Sequence, residues 1–230
     1  MRKIKIYSEA VYVFAILVLS FAVAMVTAAE FGVSMIVAPA YILSEKVSFL
    51  TFGQSEYVIQ SLLFIVFCII MGKVKAVYFS SFVTCIFYGA VLDLWRLVVP
   101  IFNPSVTEPG SMAMWIRIVF FVLGTLLTAF SVALFYKTYL YPQVYDFFVK
   151  GVSRRFGKDT TKFKIAFDAS SLVLSIVMTL VLFGKFVGIG WGTLVMTALN
   201  GVLIGFFGKL FDKYFEFEPY FKKFASYFEL

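Results

Sequence analysis

The sequence contains no histidine and only two cysteines, Cys68 and Cys85. Histidine is the commonest general base and zinc ligand in proteins, so its absence removes the usual starting point for acid–base or metal chemistry. Both cysteines lie inside apolar stretches at different predicted depths, which indicates two buried thiols instead of a disulfide. The remaining acids and serines form no spacing typical of a catalytic site. The sequence therefore predicts no metal, no cofactor and no enzymatic activity.

Charge is also scarce. Only 14% of the 230 residues are charged, 62% are hydrophobic, and the mean hydropathy is +0.95. Soluble domains have an apolar fraction of about 45–50%. A bilayer span needs roughly 20 mostly apolar residues, and six such stretches can be marked. The sequence predicts an all-α polytopic membrane protein, a single integral membrane domain over residues 1–230. The predicted spans cover about Val11–Ala29, Gln54–Met71, Ala76–Val99, Met112–Tyr136, Phe167–Phe183 and Gly188–Phe211.

Two further stretches do not fit this pattern. Phe31–Leu43 is apolar but contains Gly32 and Pro39, so it is either a helix extension broken at the proline or a re-entrant element. Tyr141–Lys158 mixes aromatic with basic residues, which favours an amphipathic helix on the membrane surface, an interfacial segment over 141–158. The alternative for this segment is a solvated linker.

Basic residues show which way the chain faces. Sixteen of the 20 lysines and arginines fall on one side of the six-span arrangement. The positive-inside rule therefore predicts that both termini are cytoplasmic. The net charge of +7 does not indicate nucleic acid, because the basic residues sit between apolar spans instead of forming one exposed face.

The two halves of the chain resemble each other at a shift of 112 residues. Gly72-Lys73 falls on Gly184-Lys185, Gly89 on Gly201, and Glu56 on Asp168. Each unit, 8–101 and 112–213, would contribute three spans, an odd number, so the units would be inverted relative to each other. Inverted repeats are common in transporters, with the site between the repeats. The alternative is a chance alignment of apolar, glycine-containing sequences.

Polar residues inside the predicted spans are the candidate site, because charge within a bilayer is costly and is usually paired or functional. An alternative for Asp93 is a structural ion pair with Arg96 or Arg117, and for Asn200 an interhelical hydrogen bond. A second group is predicted to serve helix packing or a hinge. The candidate substrate-binding residues are Glu30, Glu56, Asp93, Arg117, Asp168, Trp191 and Asn200, and the packing or hinge residues are Gly89, Gly190, Gly192, Thr193 and Gly201.

Three motifs carry a resemblance to a known family. They are Lys164-Ile165-Ala166-Phe167-Asp168, the stretch Gly188-Ile189-Gly190-Trp191-Gly192-Thr193 with Gly201, and Gly89-Ala90-Val91-Leu92-Asp93-Leu94. Together they resemble the YczE/YitT-like bacterial membrane proteins. The resemblance implies a multispanning protein of the bacterial cytoplasmic membrane without a settled activity. The chain departs from that pattern at Ser55-Glu56, where related sequences are more often uncharged.

These observations favour one function and leave a second open. The inverted repeat and the intramembrane acids predict a transporter of an unknown small molecule, or the membrane substrate-binding unit of one, with its site between the two three-helix units. The alternative is a non-transporting protein in the lipid bilayer that assembles with or regulates a partner membrane protein, or forms a homo-oligomer.

Overall fold

The computed structural model describes residues 3–108 and 110–228, except for the side chain of Thr161, so both ends of the predicted domain and Pro109 lie outside the described residues. Nine α-helices and two short strands form this part of the chain, with single 3₁₀ turns before α4 and after α4. The elements are β1 Ile4–Tyr7, α1 Ser8–Ala28, α2 Ala38–Lys46, α3 Phe52–Met71, α4 Phe79–Val98, α5 Met114–Phe135, α6 Val144–Arg155, α7 Thr160–Phe183, α8 Trp191–Tyr214, β2 Phe215–Glu218 and α9 Lys222–Ala225.

Six of these helices, α1, α3, α4, α5, α7 and α8, are long and apolar enough to cross a membrane. The prediction of an all-α polytopic membrane protein is confirmed. The ends of the helices have local causes. Thr51 and Gln54 form a capping box at the start of α3. Asp159 accepts a hydrogen bond from the Lys162 amide at 2.8 Å and so begins α7 seven residues before the predicted Phe167.

Both ends of the described chain meet at one end of the helical bundle. Strand β1 leads into α1 and pairs in parallel with β2, which follows α8. The Glu9 carboxylate at the start of α1 accepts hydrogen bonds from the Tyr220 and Phe221 amides, both at 3.0 Å. We call this end of the bundle the termini face, and the opposite end, where α1 and α4 end and α5 and α8 begin, the loop face.

Helices α1 and α5 form the centre of the bundle. They pack along each other, α4 packs on α1, and α8 packs on α5. Small residues bring the central pair together: a Cβ added to Gly124 would lie 2.6 Å from the Val26 side chain and 3.1 Å from the Ala22 carbonyl. Lipid tails are as apolar as the side chains, so close packing of this kind, not a hydrophobic difference, holds membrane helices together.

The element order long, short, long, long occurs twice, in α1–α4 and in α5–α8. The contacts of the two short helices follow the same repeat. Helix α2 packs on α3 and also crosses over to α7, while α6 packs on α7 and crosses over to α3. Each half of the chain therefore contributes one short helix to the other half, in addition to the three long helices predicted.

Helix α6 runs from the middle of α3 to its end. The Val144 amide donates to the Gln60 side chain at 3.1 Å, and Gln60 is near the midpoint of α3. At the far end of α6, the Arg155 guanidinium donates to the Met71 carbonyl. The approach is close, since a Cβ on Gly151 would lie 2.6 Å from the Phe67 ring. The start of α6 is thus about half a helix length from the termini face.

The amphipathic pattern of α6 has a different use from the predicted one. Its apolar side chains, among them Val144, Phe147 and Val152, are buried against α3 and its neighbours, while Lys150 and Arg154 remain exposed. Protein covers the face that was expected to meet lipid. The predicted interfacial position of segment 141–158 stays a prediction only for the exposed basic side of the helix.

Helix α2 occupies the corresponding place at the loop face. Ala38 and Ile42 are fully buried and pack against Met178 and Leu182 of α7. Lys46, at the end of α2, donates to the Leu182 carbonyl at 2.8 Å. The helix extension, one of the two structures predicted for Phe31–Leu43, is not observed: the chain leaves α1, continues as irregular backbone and then forms a short helix that returns to the loop face. The re-entrant element stays a prediction.

Candidate functional site

The two halves of the chain differ most in how their last two long helices meet. Helices α3 and α4 pack tightly, whereas α7 and α8 make almost no contact along the described residues. Gly53 and Gly89 lie at the α3–α4 contact, and a Cβ on Gly89 would come within 2.8 Å of the Gly53 carbonyl. At Gly201 and Gly205 of α8, no described atom lies within 4 Å of such a Cβ. A gap therefore separates α7 from α8.

This gap belongs to a cavity of about 860 Å³, which we call the central cavity. The volume lies within the range of roughly 300–1,000 Å³ typical of small-molecule sites. The cavity extends from Tyr136 and Thr160, at the termini-face ends of α5 and α7, to Met196 and Thr197 near the loop-face end of α8. Its walls come from α1, α5, α6, α7, α8, the irregular segments 33–37 and 138–143, and Tyr88 of α4.

Among the described residues, the charged groups that line the central cavity lie on α6 and α7. The Lys164 ammonium lies 3.1 Å from the Asp146 carboxylate and 3.6 Å from that of Asp168. The Asp146 carboxylate also accepts a hydrogen bond from the Tyr136 hydroxyl at 2.9 Å. One Asp168 oxygen is buried and receives no hydrogen bond from the described residues. Two carboxylates thus share the Lys164 ammonium, and the Asp168 oxygen that faces it, at ion-pair but not hydrogen-bond distance, can still accept a hydrogen bond.

Lys150 also lines the cavity, one turn beyond Asp146 on α6. Its ammonium group is not paired with a carboxylate among the described residues. The mouth of the cavity therefore presents both signs of charge, so the ionised groups alone do not select a cation over an anion.

Tyrosines line the cavity where the irregular segment 138–143 enters it. Burial raises the pKa of the Tyr141 phenol to about 12, and the nearby Tyr78 adds to this. Burial and the Glu9 carboxylate raise the pKa of Tyr139 as well. Both phenols therefore stay protonated at neutral pH, and they donate to the Phe228 carbonyl and to Glu9 respectively.

Asn200 faces the central cavity from α8. Its side-chain oxygen is buried and accepts no hydrogen bond from the described residues. The interhelical hydrogen bond that was the alternative for Asn200 is therefore not formed by this oxygen. A buried amide oxygen without a partner costs free energy. Hydrogen-bond donors of a ligand in the cavity would satisfy this oxygen and the Asp168 oxygen that accepts no hydrogen bond.

The loop-face end of the cavity is closed by backbone. The Gly192 amide donates to the Phe31 carbonyl at 2.8 Å, and the Thr193 hydroxyl donates to the Val33 carbonyl at 2.8 Å. A Cβ on Gly190 would lie 2.5 Å from the Phe31 carbonyl oxygen. Gly190, Gly192 and Thr193 thus let the start of α8 meet the segment after α1 at backbone distance. A hinge role for them stays a prediction.

Trp191, Glu30 and Arg117 lie outside this closure, at the loop face. The Trp191 ring packs on Phe31 with ring centroids 4.5 Å apart. Arg117 pairs with Glu30 at 3.2 Å and donates to the Ala29 carbonyl at 2.9 Å. The pair holds Glu30 at a φ of +57° where α1 ends. These groups stabilise the loop face and do not line the central cavity.

Asp93 is also occupied elsewhere. Its carboxylate accepts hydrogen bonds from the Thr51 hydroxyl and from the Gly53 amide, the latter at 2.8 Å. The alternative prediction, an ion pair of Asp93 with Arg96 or Arg117, is wrong: the described ion pairs do not include one with Asp93. Arg117 pairs with Glu30 instead, and Asp93 binds the start of α3. Negative charge is favourable at such a helix N-terminus.

Glu56 is fully buried between α3, α4 and α6. One carboxyl oxygen accepts from Gln60 at 3.0 Å and from the Tyr145 hydroxyl at 2.9 Å. The other carboxyl oxygen has no described hydrogen-bond partner, and neither does the hydroxyl of the preceding residue, Ser55. Glu56 does not line the cavity, but Tyr145 and Gln143, which do, form the wall in front of it.

Of the seven predicted site residues, only Asp168 and Asn200 line the central cavity. The prediction missed Asp146, Lys150 and Lys164, which supply the other charges. Lys164 and Asp168 are four residues apart, a spacing that brings side chains together on one helix face and that signals the pair in the sequence. Asp146 offers no local signal, because its partner lies 18 residues away on the next helix.

Comparison with known proteins identifies a family but no activity. No curated protein and no solved structure matches the chain. One family model covers residues 6–209, which include helices α1 to α7 and all of α8 except its last five residues. The chain belongs to the family of unknown function DUF6198.

Proposed function

We propose that this protein is a transporter, not an enzyme, and that it moves a small molecule across the membrane through the central cavity. The observation that carries the proposal is the difference between α3–α4, which is closed, and α7–α8, which is open onto a cavity of about 860 Å³. A purely structural helical bundle gains nothing from such a gap.

The element order and the exchanged short helices support two units of inverted topology, 8–101 and 112–213. Membrane transporters built this way expose their site alternately to the two sides as one unit changes its packing against the other. On this proposal the α7–α8 gap is the open pathway to the termini face. The α3–α4 contact is the equivalent pathway to the loop face, in its closed form.

The substrate site lies in the cavity, with Asp168 and Asn200 as ligands from α7 and α8. Each presents a buried oxygen that accepts no hydrogen bond from the described residues, and Lys164 and Asp146 set the charge around Asp168. We further propose that the protein is related to the YczE/YitT-like proteins and lies in the bacterial cytoplasmic membrane with both termini cytoplasmic. The motifs around Asp168 and Gly201 and the distribution of basic residues support this.

Matched cysteines test alternating access directly. Cys85 on α4 and Thr197 on α8 correspond under the 112-residue shift; Cys85 is buried, whereas Thr197 lines the cavity. In a Cys68→Ser background, we expect a membrane-impermeant thiol reagent to label Thr197→Cys, with Cys85 also replaced by Ser, from the termini face only. We expect slow labelling of native Cys85 from the loop face only, as the minor state opens. Vesicles of both orientations separate the two faces.

Two outcomes contradict the proposal. Labelling of Thr197→Cys from both faces at the same rate would indicate a channel. Complete protection of Cys85 in native membranes, together with a stable complex with another membrane protein in mild detergent, would instead support the non-transporting alternative.

Asp168→Asn should reduce transport strongly, because it removes the acceptor charge that Lys164 balances at the cavity wall. We expect a loss of roughly tenfold or more, the change for one hydrogen bond to a charged group, worth about 1.5–3 kcal/mol. Mass spectrometry of small molecules retained by cells expressing each variant measures it. Asp212→Asn is the control, since Asp212 pairs with Lys137 away from the cavity. Equal profiles for both variants would remove Asp168 from the site.

A further inference from the structure

Glu56 sits in surroundings unlike those of every other acid described above. It is fully buried, its hydrogen bonds come from a neutral amide and a phenol, and no cation lies within ion-pair distance of it among the described residues. An isolated buried carboxylate costs far more than a neutral carboxyl group. The other Glu56 oxygen accepts no hydrogen bond from the described residues, so it can carry the proton of the neutral form.

We propose that Glu56 is a proton-binding site that holds its proton while the α3–α4 contact is closed and releases it to water when that contact opens. Tyr145 and Gln143 separate the site from the central cavity: both line the cavity, and the Tyr145 hydroxyl donates a hydrogen bond to Glu56. Proton binding and release require no other ligand. The role of this proton in driving a substrate rests on the proposed transport function, whereas the proton site itself does not.

Glu56 is the only carboxyl group among the described titratable groups that surround it. On α6 the titratable neighbour is Tyr145, and on α4 the neighbours are Cys85 and Tyr88. The charged residues of α4, Asp93 and Arg96, lie toward the loop face, where Asp93 is held by the start of α3. Helix α2 brings Tyr41 and Glu45 to the same end of α3, where Tyr41 packs on Phe52. The neighbours are thus a thiol and two phenols, groups whose ordinary pKa values lie above neutral pH.

The 112-residue shift gives this site a counterpart. Asp168, which corresponds to Glu56, lines the open cavity and is paired with Lys164. In the described arrangement, one of the two matched acids therefore faces the cavity as an ion pair, while the other is sealed from it without a countercharge. An exchange of these environments is what alternating access between the two units requires.

Infrared spectroscopy of the purified protein tests for the proton directly. We expect the carbonyl stretch of a protonated carboxyl group at neutral pH in the wild type, its loss in Glu56→Gln and its retention in Asp168→Asn. Tyr145→Phe keeps the carboxyl group but removes one hydrogen bond to it, so its band should remain and move in frequency. Identical protonated-carboxyl intensity in the wild type and Glu56→Gln at neutral pH would overturn the proton site.

The rate at which native Cys85 is labelled reports release of the proton, because its thiol contacts the main-chain carbonyl of Glu56. Labelling of a thiol rises about tenfold per pH unit below its own ionisation. If opening also releases the Glu56 proton, the population of the open state itself rises with pH. The labelling rate then rises by up to about a hundredfold per pH unit in total. We expect this steeper rise in Cys68→Ser and the tenfold rise in Cys68→Ser with Glu56→Gln. Equal slopes would overturn proton release on opening, even if the infrared band is present.

Discussion

Gly32→Ala should destabilise the protein more than any other single methyl group we consider, by roughly 2–6 kcal/mol. Gly32 has a φ of +100°, beyond the region that residues with a side chain adopt readily. Its Cβ would also lie 2.5 Å from both the Gly190 amide nitrogen and the Thr193 hydroxyl. Backbone strain of this kind costs about 1–3 kcal/mol, and overpacking typically adds a similar amount.

The measurement is the midpoint of thermal unfolding in detergent, monitored through the loss of the monodisperse size-exclusion peak after heating. Gly184→Ala separates the two causes, because Gly184 has a φ of +68° but no described atom within 4 Å of an added Cβ. That variant should lose only about 1–2 kcal/mol, the cost of the left-handed region alone. Equal losses in both variants would mean that the backbone contact of Gly32 with α8 does not contribute to closing the loop face.

Gly89→Ala and Gly201→Ala should change stability in opposite directions, although the two glycines correspond in the sequence. At Gly89 the added methyl group would meet the Tyr57 ring and the Gly53 carbonyl, and separating α3 from α4 costs about 1–3 kcal/mol. At Gly201 it would face the central cavity. There the better helix propensity of alanine should add up to about 1 kcal/mol.

Unfolding in detergent again measures both variants, and a loss of stability at Gly201 would contradict the open α7–α8 gap. A larger substitution at the same position, Gly201→Leu, has a functional consequence under the proposed mechanism. If α7 and α8 close on each other as α3 and α4 do, a leucine at Gly201 blocks that closure. Thr197→Cys in a Gly201→Leu protein should then stay labelled from the termini face under all conditions, and Cys85 should never be labelled. Labelling of Cys85 at the wild-type rate would show that the two contacts move independently.

The six spans could be predicted from the sequence because their cause is local. A helix that crosses a bilayer needs about 20 apolar residues in succession, and stretches such as Met112–Tyr136 have them whatever surrounds them. Composition likewise determined the class of protein, and the spacing from Glu56 to Gly72 and Gly89, which recurs from Asp168 to Gly184 and Gly201, pointed to two related halves. Asp168 and Asn200 were found because polar groups inside apolar stretches stand out.

Only the tertiary structure decided what covers each face. In the sequence, the apolar side of α6 fits lipid or protein equally well. In the structure α3 covers it, with Phe67 of α3 packed on Gly151 of α6. Gly89 and Gly201 are alike in sequence, yet one lies in a helix contact and the other in a cavity. Glu56 is sealed by Tyr145, which lies 89 residues away in the chain. Contacts over such separations depend on how whole helices pack, and no local pattern of residues specifies that.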